Sequence, residues 1–274
     1  MKQTGFAWQR LIPLGNWGMS KWRYLRVILV AFCAFAGCVG VSYGQQNIGS
    51  TVLAKNDVTR ELSGASAPLT AGDNVFRNEI VKTGIDSAAK LVFLDSTNLG
   101  VGPTSRVTLD QFVYVGETNG QKMSVNLARG VFRFTTGKLD KSAYIIATPS
   151  AAIGVRGTVL DIDVRGAQSR VTLVEGQALV CPRRPGITFA QEVRNCTRAA
   201  GGPGGPRCEC VDLNNVGQTA LVKKSGGANQ ASLTSTPVDF AANCTRDASL
   251  CSGSTYASLT APEGGFPAGA LCGR

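Results

Sequence analysis

Two carboxylates, Asp161 and Asp163, have a spacing that could serve acid–base catalysis. They alternate with apolar residues in the run Leu160–Val164, and side chains two residues apart on a β-strand point to the same face. Two carboxylates on one face are an arrangement that general acid–base chemistry uses. The same alternation is typical of a strand with one buried and one solvated face. We therefore predict that both carboxylates lie on a solvated strand face and are not catalytic.

The sequence contains no histidine, which narrows the reactions open to the chain. Ser-His-Asp and Cys-His catalysis, HExxH zinc proteases and imidazole pH switches all require that side chain. Three segments follow the order of the penicillin-binding enzymes, S-x-x-K at 87–90, S-x-N at 124–126 and K-S-G at 224–226. The serine nucleophile there opens a helix, whereas Ser87 precedes a run that favours a strand. We therefore predict that the protein is not an enzyme, with no catalytic residues and no cofactor.

The cysteines are a second group with possible chemistry. Of nine in the chain, Cys33 and Cys38 come before residue 45. The other seven all lie in the last third and are candidates for disulfides: Cys181, Cys196, Cys208, Cys210, Cys244, Cys251 and Cys272. An odd number leaves one thiol unpaired or intermolecular. Because the Cys208–Cys210 pair has no C-x-x-C or histidine to complete a tetrahedral site, we predict structural disulfides and no metal.

An apolar run near the N-terminus indicates export. Val27–Val41 carries no charge, follows a cluster of Lys and Arg at 21–26, and leads to Ser42-Tyr43-Gly44, with small residues at both positions that define a cleavage site. This order predicts a secretory signal peptide over residues 1–44, with Met19 as an alternative start. The run is short for a membrane span of about 20 residues. We expect a periplasmic or secreted protein.

A second way to process this segment stays open. Phe35-Ala36-Gly37-Cys38 resembles a bacterial lipobox, in which Cys38 would be lipidated, although Phe replaces the usual Leu. Membrane contact is expected only through the signal segment or such a lipid anchor.

The net charge of +10 does not indicate a nucleic-acid partner. Five basic residues and no acidic one precede residue 45, which leaves 28 − 5 = 23 basic against 18 acidic residues in the rest. That remainder has no dense Lys/Arg cluster interleaved with aromatic residues. We predict no nucleic-acid binding.

The elements that position these residues are β-strands. Residues 49–180 are short apolar or alternating runs interrupted by Gly, Asp, Asn and Pro, a pattern typical of an all-β domain. Residues 181–274 shift to Gly, Pro, Ser, Thr, Asn and Cys, with Gln218–Lys223 as one further strand. We predict that this loop-rich region is stabilised by disulfides and partly disordered.

Several motifs in the first region resemble the FecR domain family. They are Leu69–Val75 (LTAGDNV), Val81–Gly84 (VKTG), Ala89–Asp95 (AKLVFLD), Leu127–Phe134 (LARGVFRF) and Thr148–Thr158 (TPSAAIGVRGT). The resemblance implies a twisted β-solenoid-like domain outside the cytoplasmic membrane. The best-known members are iron-uptake regulators with a cytoplasmic anti-sigma domain. Because 26 residues precede the apolar run, we expect no such domain here.

The functional expectation is an exported, non-catalytic module that binds an envelope protein or a small ligand. The candidates for binding are Arg156, Gly154, Gly157, Thr158 and Arg133. The glycines are expected at turns between strands, and Arg156 either clamps a ligand carboxylate or, as we favour, makes an internal bond across a turn. The alternative is a structural, disulfide-stabilised envelope or secreted protein with no signalling role.

Overall fold

The computed structural model describes residues 45–113, 122–140, 144–184, 186–187, 191 and 210–242. These residues belong to one compact unit, Gln45–Arg274, and are nearly all β-structure. The all-β fold class predicted from the alternating runs is confirmed. The predicted signal peptide and Cys38 lie outside the described residues. Within the described ranges no helix is long and apolar enough to cross a membrane.

The strands, in chain order, are β1 (Asn47–Lys55), β2 (Val58–Leu62), β3 (Ala65–Pro68), β4 (Asn74–Phe76), β5 (Ile80–Thr83), β6 (Ala88–Phe93), β7 (Asn98–Val101), β8 (Arg106–Val113), β9 (Lys122–Thr135), β10 (Tyr144–Ala147), β11 (Ala151–Arg165), β12 (Gln168–Pro182), β13 (Val211–Leu213), β14 (Thr219–Ser225) and β15 (Ala228–Thr234).

These strands form one open sheet. Its main path is β15-β14-β12-β11-β10-β9-β7-β6-β1-β4, with β13 beside β12 and with β8, β5, β2 and β3 following in turn from β9. The pairing of β9 with β10 is parallel, whereas the long hairpin β11–β12 and its neighbours β9 and β14 are antiparallel. The solenoid-like winding implied by the family resemblance stays a prediction.

Strand β9 connects the two parts of the sheet because its halves have different neighbours. The first half pairs with β8 and β10, and the second half with β7 and β11. The change falls at Gly130, where φ is 106° and an added Cβ would lie 2.0 Å from Ser105 Oγ. Glycine is therefore required where β9 passes against Ser105, the residue before β8.

The hydrophobic core lies on one face of this sheet. Phe132 and Phe134 of β9 and Leu160 and Ile162 of β11 are all buried there. Because side chains alternate along a strand, Val131, Arg133, Asp161 and Asp163 point to the opposite face, which we call the outer face. The aromatic rings at 132 and 134 thus fill the core.

The C-terminal part of the chain continues the same sheet. Strand β12 ends at Pro182, so the boundary predicted at residue 180 falls inside a strand. Strand β14 contains most of the predicted run Gln218–Lys223 and pairs with β12, and β15 pairs with β14. Strands β13 and β15 were not predicted, because β13 has only three residues and the sequence of β15 is mostly polar.

Candidate functional site

The motif Gly154–Thr158 lies in the middle of β11 and forms a bulge. Pairing with β12 is regular as far as Arg156, shifts on both sides of Val159, and is regular again from Leu160. Gly157 has a φ of 57°. The prediction that Gly154 and Gly157 lie at turns between strands was wrong, because both are inside a strand whose register changes at the bulge.

Thr158 holds this bulge in place. Its buried hydroxyl donates to the carbonyl of Gln177 (2.7 Å) and accepts from the backbone N–H of Arg156 (2.9 Å). Its own backbone N–H donates to Thr136 Oγ1 (2.8 Å). Side-chain hydrogen bonds thus satisfy polar backbone groups that the shifted ladder leaves unpaired.

The bulge presents Arg156 to solvent. The side chain is exposed, and no polar group in the described part of the chain bonds its guanidinium. The favoured internal bond of Arg156 is therefore not made among these residues. An exposed guanidinium has five donors in a planar fork that matches a carboxylate.

Arg133, also predicted to bind, forms an ion pair within the domain. Its Nε and Nη2 donate to the two carboxylate oxygens of Asp161, each at 2.7 Å. These hydrogen bonds raise the pKa of Arg133, while burial acts in the opposite direction. Asp161 is 2% exposed.

Asp163 is buried as well. Arg170 and Arg165 both donate to its carboxylate, and it is 3% exposed. The prediction that Asp161 and Asp163 lie on a solvated face was wrong, although the alternation did identify which face they occupy. Long arginine side chains and a segment remote in sequence cover that face.

That segment is Pro237–Phe240, which we call the strap. The backbone N–H of Val238 donates to Thr172 Oγ1 (2.7 Å), and that of Phe240 donates to Asp161 Oδ2 (3.0 Å). The Phe240 ring is completely buried and its centroid lies 5.6 Å from the Arg133 guanidinium carbon. Val238 and Phe240 pack with Ala88 and Val131 in a second hydrophobic cluster. The signal that sequence reasoning missed is an apolar-x-aromatic triplet after a proline in a polar stretch.

Of the seven disulfide candidates, the structure joins Cys181 to Cys210. The bridge closes a loop between residues 29 apart in sequence, next to the pairing of β12 with β13. A constraint of this kind lowers the entropy of the unfolded chain. The other five candidates lie outside the described residues. Among the described residues no three Cys, Asp or Glu side chains gather as they would around a metal ion.

A buried tyrosine links β10 to the loop after β6. The Tyr144 hydroxyl donates to Asp95 Oδ2 (2.7 Å) and accepts from the backbone N–H of Leu139 (2.9 Å). Burial, and then the hydrogen bond to Asp95, raise the pKa of Tyr144 well above its ordinary value.

This raised pKa makes a prediction for alkaline pH. The unfolded chain loses the Tyr144 proton near pH 10, while the folded chain keeps it to higher pH. The corresponding stability is therefore fully present below about pH 10 and is lost as pH rises above it, by at most about 1.4 kcal/mol per pH unit. In urea unfolding at pH 9 to 11, we expect Tyr144→Phe to lose stability less steeply than the wild type. Equal slopes would contradict this assignment.

Comparison with known proteins gives one family. Residues 79–179 match the family model described as FecR protein. That range includes the bulge, Arg156 and the Arg133–Asp161 pair. No curated protein matches the chain.

Two solved structures of a proposed anti-sigma factor from Parabacteroides distasonis ATCC 8503 show a distant likeness. Sequence identities are 12% and 11%, and the TM-score is 0.37 in both. Each comparison covers 56% of this chain and 59% of the solved one, so the chain spans less than two thirds of their length. The family match agrees with the motifs quoted from the sequence, and residues 79–179 of this chain form a FecR domain.

Proposed function

We propose that the protein is an exported, non-catalytic binding and sensing module of the bacterial cell envelope, linked to signalling of the iron-uptake type. The observation that carries the proposal is the FecR domain at residues 79–179. The N-terminal segment supports export, because a basic cluster followed by an uncharged apolar run is the pattern of a signal peptide. The partner is an envelope protein or a small ligand.

The contact we assign to that partner is Arg156. The bulge turns its side chain outward, and Thr158 and Thr136 hold the backbone on which it stands. Because the backbone is already held, binding has only the Arg156 side chain to order. The group it fits best is a carboxylate, because two parallel N–H donors match two oxygens.

The alternative function is a structural, disulfide-stabilised protein of the envelope or the medium. The Cys181–Cys210 bridge favours it, because disulfides persist outside the cytosol and stabilise secreted domains. The two functions differ in whether a specific partner exists.

The test is a pull-down from native envelope extracts with the signal-free protein as bait. We expect the wild type to recover a partner and Arg156→Ala to recover about ten-fold less, because a hydrogen-bonded charge contributes about 1.5 kcal/mol or more. The matched control is Lys224→Ala, which removes an exposed cation on β14 and should leave recovery unchanged. If no partner is recovered, or if Arg156→Ala recovers it equally, the sensing proposal fails.

A further inference from the structure

The strap occupies a groove on the outer face of the sheet that has the features of a peptide-binding site. One end of the groove is floored by small residues, Ala88 and Gly102, beside Val131. The Phe240 ring fits against them, and a Cβ added at Gly102 would lie 3.4 Å from this ring and 3.0 Å from the Val131 carbonyl oxygen. The ring therefore packs closely over Gly102, at a distance where even a single added carbon would already touch it.

The polar contacts of the groove recognise backbone rather than particular side chains. Thr172 Oγ1 and Asp161 Oδ2 accept hydrogen bonds from the backbone N–H groups of Val238 and Phe240, two residues apart. In an extended chain, N–H groups at i and i+2 point to the same side. Two fixed acceptors at this spacing therefore bind an extended segment of any sequence.

Specificity comes from the two apolar positions and from Arg133. The Val238 and Phe240 side chains are buried while Asp239, between them, is exposed. The Arg133 guanidinium lies over the aromatic ring, an arrangement that favours aromatic over aliphatic residues at that position. The pattern that the groove accepts is aliphatic-x-Phe in an extended conformation.

We infer that this groove is a binding site for an extended aliphatic-x-Phe peptide of a partner protein, and that the strap is a built-in ligand which competes for it. The strap follows β15 after only two intervening residues, Ser235 and Thr236, so its effective concentration at the groove is high. A partner peptide consequently binds only when the strap is displaced. This site is distinct from the bulge at Arg156, so the inference does not depend on the proposed function.

The test uses the full chain with the strap released by Val238→Ser and Phe240→Ser together. The probe is a fluorescent peptide of residues 235–242 (STPVDFAA), and its binding is followed by anisotropy. We expect the released variant to bind the probe at least ten-fold more tightly than the wild type does. The probe should also raise the melting temperature of the released variant and not that of the wild type.

Two controls show whether the groove itself is responsible. A probe with Ser in place of the Phe should bind the released variant at least ten-fold more weakly. Adding Thr172→Val to the released variant removes one acceptor and should weaken binding about five-fold. Equal binding of both probes, no binding by a folded released variant, or equal affinity of wild type and released variant would overturn the inference.

A milder change replaces the double substitution if that variant does not fold. Val238→Ala alone loosens the strap and leaves every group of the groove in place. We then expect faster hydrogen exchange at the Phe240 amide and a measurable gain in probe binding over the wild type. Unchanged exchange and unchanged binding would likewise overturn the inference.

Discussion

We expect Asp161→Ala to lower the free energy of unfolding by about 4 kcal/mol. The carboxylate accepts both donors of Arg133 and the backbone N–H of Phe240. Its removal leaves the Arg133 guanidinium without its carboxylate partner. The Arg133 side chain is only 18% exposed, so this unpaired charge would be largely buried. Removing one partner of a buried pair costs about 3–5 kcal/mol because the other charge stays desolvated. Urea unfolding followed by circular dichroism measures the change.

Two further variants separate the ion pair from the loss of any charge. Arg165→Ala removes an exposed guanidinium that also pairs with a buried carboxylate, Asp163, and should cost less than about 1 kcal/mol because Arg170 remains. Arg133→Met with Asp161→Leu replaces the pair by apolar groups and should recover much of the loss. A loss below about 1 kcal/mol in Asp161→Ala would contradict the assignment of a structural ion pair.

Gly176→Ala is expected to lower the free energy of unfolding by a similar amount, about 4 kcal/mol. Gly176 lies on β12 opposite the bulge, with a φ of 82°. An added Cβ would lie 2.0 Å from the Gly157 carbonyl oxygen and 2.9 Å from the Thr158 Cα. Both obstacles are backbone, so relief requires movement of β11 against β12. The backbone conformation and the overpacking each cost about 1–3 kcal/mol.

Gly166 provides the matched control for this substitution. It lies in the turn between β11 and β12, has a φ of 58°, and an added Cβ there would meet nothing within 4 Å. Gly166→Ala therefore carries only the cost of the left-handed conformation, about 1–2 kcal/mol. Thermal unfolding of the two variants side by side gives the cost of the clash as their difference. Equal melting temperatures would show that the bulge is not held at its present spacing.

The pairing of two glycines across β11 and β12 also explains part of the family motif. Gly157 adopts a positive φ at the bulge, and Gly176 passes directly over it. The G-V-R-G-T string thus includes a requirement of backbone geometry as well as an outward-facing arginine. The arginine side chain is exposed and can vary without changing this backbone geometry, which makes Arg156 the residue to test for recognition.

The sequence by itself determined the fold class, the family and the orientation of the central strands. Alternation in Leu160–Val164 placed Leu160 and Ile162 on one face and the two aspartates on the other, because side-chain direction on a strand depends only on local geometry. The motif strings that contain Gly130 and Gly157 carried the resemblance to the FecR family, and both glycines meet a local requirement of the backbone, since each has a positive φ.

What covers the outer face was decided by tertiary structure. Phe240 reaches Asp161 across 79 residues of sequence, and Val238 reaches Thr172 across 66. No local pattern predicts which strand such a segment will cross, because its position depends on where the preceding strands β14 and β15 lie in the sheet. A strand face whose sequence pattern predicts exposure is therefore buried in this protein. The Asp161 carboxylate on that face is paired with Arg133, because an unpaired charge in that position would destabilise the fold.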